Sequence, residues 1–215
     1  MKHEERYFDG RRNAEILRRL KKNYPDSEIQ LEFNDPFELL IATILSAQCT
    51  DERVNIVTEK LFKKLKTPHD FIEISKEDLE KEIFSTGFYK QKTKSIKACC
   101  KELIDEYGGK VPSDMESLTK LPGVGRKTAS VVLGNAFNTP AFAVDTHVKR
   151  LSKLFHFVDT DDPEIIEYEL TKIIPKKDWV KTSHRIANHG RHVCNAKKPK
   201  CEICFLNDIC PSVIV

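Results

Sequence analysis

Four of the seven cysteines fall within one short stretch, "CNAKKPKCEICFLNDIC", as Cys194, Cys201, Cys204 and Cys210, a C-x6-C-x2-C-x5-C pattern. Four thiolates converging on one small object suit either a tetrahedral Zn²⁺ or a [4Fe–4S] cluster. Zinc sites usually pair two short knuckles, and only Cys201 and Cys204 are spaced that tightly, so the pattern favours the cluster. Lys197, Lys198 and Lys200 sit between the first two of these cysteines. A basic loop pinned at both ends is a contact surface for phosphates. Cys49, Cys99 and Cys100 are expected to be core thiols on helices, with no metal role.

A second stretch, "LPGVGRKTA" (Leu121 to Ala129), places two glycines and a proline directly before Arg126 and Lys127. Gly123 and Gly125 allow backbone conformations closed to other residues and a close approach to a ligand. Amides of such a turn, with the exposed N–H groups of a following helix, form an anion site. A DNA phosphate fits it without sequence preference. Lys127 is expected in the first turn of that helix, where the dipole disfavours a cation. The same field, and any burial, favours the neutral amine, which is a nucleophile suited to Schiff-base chemistry.

Asp145, in "FAVDTHVKRL", is a carboxylate eighteen positions after Lys127. Along one helix that separation spans roughly 27 Å. If the helix ends near Phe137, about ten helical residues advance roughly 15 Å, and eight extended residues return up to about 26 Å. Asp145 can then come back beside Lys127 while also serving as the N-cap of the next helix.

The elements that must position these residues read as helices. "DPFELLIATILSAQ" opens with Asp35 as N-cap and Pro36 at the first helical position, with Glu38 three residues past the cap. "TDERVNIVTEKLFKKL" carries Val54, Val57, Leu61 and Leu65 on one stripe. "KSIKACCKELIDEYGG" is stopped by Gly108 and Gly109. "SDME" (Ser113 to Glu116) reads as a capping box for a short helix ending near Leu118. "LPGVG" then turns into "RKTASVVLGNAF", a helix–hairpin–helix over about 113–137. Asp162-Pro163 opens a further helix, and "WVKTSHRIANHG" is expected to close at Gly190. With no alternating strand pattern of any length, the expected class is all-α.

Composition agrees with a globular chain of 215 residues, 40% hydrophobic and 32% charged. A net charge of +3 implies no nucleic-acid partner by itself, so the local cations carry that signal. No segment approaches the roughly 20 apolar residues of a membrane span, and "MKHEERYFDGRR" lacks the apolar core of a signal peptide. The expectation is an intracellular protein with reduced thiols and no membrane association.

Together, "LPGVGRKTA", "VDTHV", "LSAQCTD" and the four-cysteine tail resemble endonuclease III, the bifunctional DNA glycosylase/AP lyase family of base-excision repair. The resemblance runs from Asp35 to Cys210. It implies that Lys127 is the Schiff-base nucleophile and Asp145 the essential carboxylate. Gln48, from "LSAQ", would enter the gap left by a flipped base. Phe88, in Gly87-Phe88-Tyr89 where the family usually has G-L-Y, would be the second wedge. The implied fold is two-lobed, with a cleft between the lobes. One lobe is a six-helix barrel over residues 29–138; the other, residues 1–28 plus 139–215, holds the [4Fe–4S] cluster. The implied partner is double-stranded DNA bearing damaged bases or abasic sites. The implied activity is removal of oxidised pyrimidines and 3′ strand cleavage by β-elimination, performed by a monomer in the cytoplasm at the nucleoid. Three alternatives stand beside this: a glycosylase for mispaired adenine or thymine, a non-catalytic hairpin module that only grips DNA, and a zinc-stabilised structural protein.

Overall fold

The computed structural model describes residues 9–214; the beginning of the N-terminal stretch read for a signal peptide, residues 1–8, lies outside them. Among the described residues there are eleven α-helices, three short 3₁₀ turns and no strand. The class is therefore all-α. No helix among them is long and apolar enough to cross a membrane.

The chain divides into two compact units, one of residues 29–141 and the other of residues 1–28 with 142–215. The second division falls three residues beyond the expected 138.

Residues 29–141 hold α1 (Pro36–Leu45), α2 (Asp51–Lys64), α3 (Pro68–Glu73), α4 (Lys76–Ile83), α5 (Tyr89–Tyr107), α6 (Met115–Lys120) and α7 (Arg126–Ala136). That is seven helices where six are expected. α1 is buried on every face from Phe37 to Leu45 and packs on α2, α5 and α7. An all-round apolar helix of this kind belongs at the centre of a unit. Its start follows the sequence: Asp35 accepts from the Glu38 N–H at 2.9 Å, and Pro36 occupies the first position. Glu38 instead reaches the backbone N–H of Asn34, one residue before the cap, at 2.7 Å. α2 buries Val54, Val57 and Leu61, with Leu65 just past its end, as the stripe predicts. α5 closes at Gly108, which takes the left-handed conformation, while the Gly109 N–H returns to the Leu103 carbonyl. Before α6 the cap is Asp114, not Ser113; Asp114 accepts from the Ser117 N–H at 2.8 Å. α6 also runs past Leu118 to Lys120.

The other unit holds α8 (Gly10–Asn23), α9 (Thr146–Leu154), α10 (Pro163–Ile173) and α11 (Trp179–His192). Ile16 and Leu20 of α8 share a core with Val148, Leu151, Ile166, Leu170 and Ile186. α11 does not close at Gly190 but continues to His192. The glycine serves packing instead. A Cβ built at Gly190 would lie 2.9 Å from the Cβ of His147 on α9, so only hydrogen permits the two helices to approach this closely.

Candidate active site and cluster loop

Lys127 is the second residue of α7 and is exposed. It follows a turn in which Gly123 has φ +80° and Gly125 occupies the N-cap position at φ −88°, ψ 173°. The two glycines therefore do different things. Gly123 needs the left-handed region, and an added Cβ would stand 2.7 Å from the Cβ of Ser95. Gly125 is extended and faces open space, so its conformation is open to any residue, contrary to the sequence expectation. What Gly125 leaves is a helix N-terminus with no side-chain cap, whose amides stay accessible to an anion.

Gln48 and Phe88 belong to the same unit and share an unusual backbone. Gln48, in the turn after α1, has φ 53°; Phe88, at the N-cap of α5, has φ 46°. Left-handed backbone is uncommon for residues other than glycine and is disfavoured for a bulky side chain such as Phe. Both side chains are exposed, Phe88 by 64%. Phe88 is thus not packed away as a loop aromatic, and strain of this kind concentrates at ligand-clamping sites. Cys99 and Cys100 lie on α5 fully buried, and burial pushes Cys99 up to about 12 and Cys100 well above the usual thiol range. Cys49 departs from the expectation: it is half-buried in the turn after α1, not on a helix.

Asp145 lies in the other unit and is half-buried. It is the N-cap of α9, where its carboxylate accepts from the Val148 N–H at 2.7 Å. His147, on the following turn, is pushed below its usual range, mainly by burial; Asp145 opposes that shift, while Arg191 and Arg150 add to it.

In the same unit Cys194, Cys204 and Cys210 pack against the core that holds Ile16, Leu20 and Leu206, and all four tail cysteines are half-buried and outside any disulfide. Burial raises the thiols of Cys194, Cys204 and Cys210, and each is raised further by at least one other tail cysteine. Four thiols carried on one short stretch are the donor set of a [4Fe–4S] cluster. The loop between Cys194 and Cys201 is tied by the Lys200 N–H to the Val193 carbonyl at 3.0 Å, leaving Lys197, Lys198 and Lys200 exposed.

Sequence reasoning missed two polar partners of this loop. Arg150 Nη1 approaches Cys194 Sγ at 3.9 Å, and His189 Nε2 lies 3.6 Å from Cys204 Sγ. Tyr24 hydroxyl stands 3.1 Å from His189 Nδ1. Burial and Arg150 push His189 down to about 4. The available signal for His189 was its place near the end of α11 in the "HGRHVC" run, just before the first tail cysteine; Arg150, on α9, had no such local signal.

Residues 41–176 match the family described as HhH-GPD superfamily base excision DNA repair protein. Residues 194–210, from the first tail cysteine to the last, match the iron-sulfur binding domain of endonuclease III. Endonuclease III of Synechocystis sp. is 48% identical over 202 residues, covering 94% of this chain and 92% of that protein. The chain belongs to the endonuclease III family. It is a DNA glycosylase and AP lyase of base-excision repair, and it carries an iron–sulfur cluster. Two solved structures of the family are similar throughout. A non-covalent endonuclease III–DNA complex superimposes with a TM-score of 0.92 at 48% identity, covering 95% of this chain and 96% of that one. A trapped endonuclease III–DNA covalent intermediate, an estranged-adenine complex, gives 0.92 at 48%, with coverage of 95% and 97%.

Proposed function

We propose that this family member removes oxidised pyrimidines from duplex DNA and cuts the strand on the 3′ side of the resulting site, with Lys127 as nucleophile. The observation that carries the reading is the position of Lys127: exposed, in the first turn of α7, one residue after an N-terminus left open by Gly125. The open amides bind a backbone phosphate, and the lysine beside them is brought to the sugar. The trapped covalent intermediate of a relative supports the same chemistry.

The Lys127 amine attacks C1′ of the damaged nucleotide through its nitrogen lone pair. The C1′–N bond breaks, its electron pair leaves with the base, and the base takes up a proton. The C1′–O4′ bond then breaks with its electron pair going to O4′; of the two amine protons one is balanced by the proton on the departed base and the other by the proton that O4′ takes up, leaving an imine. Loss of a proton from C2′ then expels the 3′ phosphate. Asp145 stabilises the positive charge that develops on the sugar while its second task, capping α9, holds it in place. Gln48 and Phe88 enter the duplex and hold it open once the base has left the stack. Cys194, Cys201, Cys204 and Cys210 hold a [4Fe–4S] cluster, which fixes the loop and takes no part in these steps. Lys197, Lys198 and Lys200 add phosphate contacts. The protein works as a monomer on DNA of the nucleoid.

Borohydride reduction tests the nucleophile. The wild-type protein is expected to form a stable covalent adduct with a duplex bearing one oxidised pyrimidine. Lys127→Ala should form none while still binding the duplex, because the hairpin grips through backbone amides. An adduct of normal yield in Lys127→Ala would assign the chemistry to another amine.

A further inference from the structure

Lys92 is a lysine on α5 that is only 4% exposed. Its ammonium donates to the carbonyl of Leu45 at 2.7 Å and to the carbonyl of Thr86 at 2.7 Å. Leu45 is the last residue of α1, three positions before Gln48. Thr86 ends the 3₁₀ turn two positions before Phe88. The two acceptors therefore belong to two different segments, and each segment runs on into a left-handed residue with an exposed side chain.

A buried ammonium is expensive unless its donors are satisfied. Charge-assisted bonds to carbonyls satisfy them here, and the carbonyl at the end of α1 lies at the negative pole of its helix. Burial pushes the Lys92 amine down from its usual range, with the nearby Cys49 opposing that shift. A lysine suits the task because its long stem carries three rotatable donors on one small head, which can tie two chain segments at once. Lys97, one turn and a half further along α5, is a useful contrast. It donates to the carbonyls of Phe71, Ile72 and Ile74 at 3.0, 3.0 and 2.6 Å, all at one helix end, where it acts as a C-terminal cap.

We propose that Lys92 is a positioning residue that fixes the spacing between the Gln48 and Phe88 segments, so that the two side chains enter the duplex as a pair. This rests on the reading of Gln48 and Phe88 as inserted side chains. Lys92 itself touches neither DNA nor the reacting atoms.

The test uses the full-length protein with its cluster and a duplex that carries 2-aminopurine beside a single lesion, whose fluorescence rises on unstacking. Lys92→Met is expected to bind undamaged duplex as the wild type does. It should lose most of the fluorescence rise and release the damaged base at least ~10-fold more slowly in a single turnover. Lys97→Met should lower thermal stability without either change. In a Gln48→Ala/Phe88→Ala background, Lys92→Met should add no further slowing, because the positioned groups are gone. If Lys92→Met does not fold, Lys92→Gln, which keeps two donors on a shorter stem, is read in its place with the same expectation. Full opening and full rate in the folded variant would overturn the positioning role. So would failure of both variants to fold, which would make Lys92 a general strut of the unit. If Gln48→Ala and Phe88→Ala both leave opening and base release unchanged, it is the insertion reading that fails, and the inference fails with it.

Discussion

In the proposed mechanism Asp145 carries two demands on one side chain, and they separate by substitution. As an N-cap it needs only an oxygen that accepts from the Val148 N–H, 2.7 Å away. Asparagine supplies that oxygen, whereas alanine loses the cap at a cost of about 1 kcal/mol. As a stabiliser of positive charge on the sugar it needs the negative charge, which asparagine lacks. Asp145→Asn is therefore expected to melt at nearly the wild-type temperature and to bind DNA. It should release the damaged base at least ~100-fold more slowly, about 2.7 kcal/mol of lost transition-state stabilisation. Paired melting curves and single-turnover base release check this; a fully active Asp145→Asn would reduce the carboxylate to a cap. The placement of Lys127 in the first turn of α7 and of Asp145 at an N-cap was legible in the sequence, because a turn or a cap is encoded by a few neighbouring residues. Lys92 was not legible: a lysine at that position in an amphipathic stretch reads as solvated, and only the approach of the Leu45 and Thr86 carbonyls from elsewhere in the chain shows otherwise.

At the scale of elements, glycine was the residue most easily misread. A glycine at the end of a periodic run usually stops a helix, so α11 was expected to close at Gly190. The structure uses that glycine to let α9 and α11 touch. Such a requirement is set by a partner helix some forty residues away and leaves no mark in the local pattern. Gly190→Ala is accordingly expected to destabilise the protein by about 1–3 kcal/mol, despite the better helix propensity of alanine, because the new Cβ would stand 2.9 Å from His147 Cβ. Chemical denaturation at neutral pH measures it. A variant as stable as the wild type would mean the helices separate at no cost. Ser113 and Asp114 are both good N-caps by residue type, and the structure uses Asp114.

At the scale of the whole molecule, the cluster loop is tied to the other end of the chain. Arg19 on α8 donates to the Phe205 carbonyl at 2.9 Å and pairs with Asp208, and the Tyr24 ring meets Phe205 edge-on at 5.8 Å. Cluster binding is thus coupled to the order of α8 as well as of the loop, since ligand free energy becomes folding free energy where a site is not preformed. Cys204→Ser, which removes one thiolate, is expected to speed amide hydrogen exchange in residues 10–23 and 194–210. Amides of α1, α5 and α7 should keep their protection. Uniform acceleration along the chain would show that the cluster stabilises both units alike. The resemblance alone assigned residues 1–28 to the cluster lobe; the residues themselves made the division only partly legible. The four-cysteine pattern announces a cluster loop, but the return of α8 to it depends on Arg19 and Tyr24, ordinary residues in a charged amphipathic run.

That arrangement also sets a timetable for synthesis. Residues 29–141 form a unit from one continuous stretch of chain, whereas α8 belongs with residues 142–215. On a translating ribosome the inserted unit has all its parts when residue 141 emerges. α8, made first, still lacks the core that covers Ile16 and Leu20. At roughly 5–20 residues per second, the remaining stretch takes on the order of ten seconds to appear. Through that interval the amphipathic helix made early carries an uncovered apolar stripe. The four cysteines come after nearly all of the partners of that stripe, so the parts that cover α8 are made before the last thiol of the cluster loop.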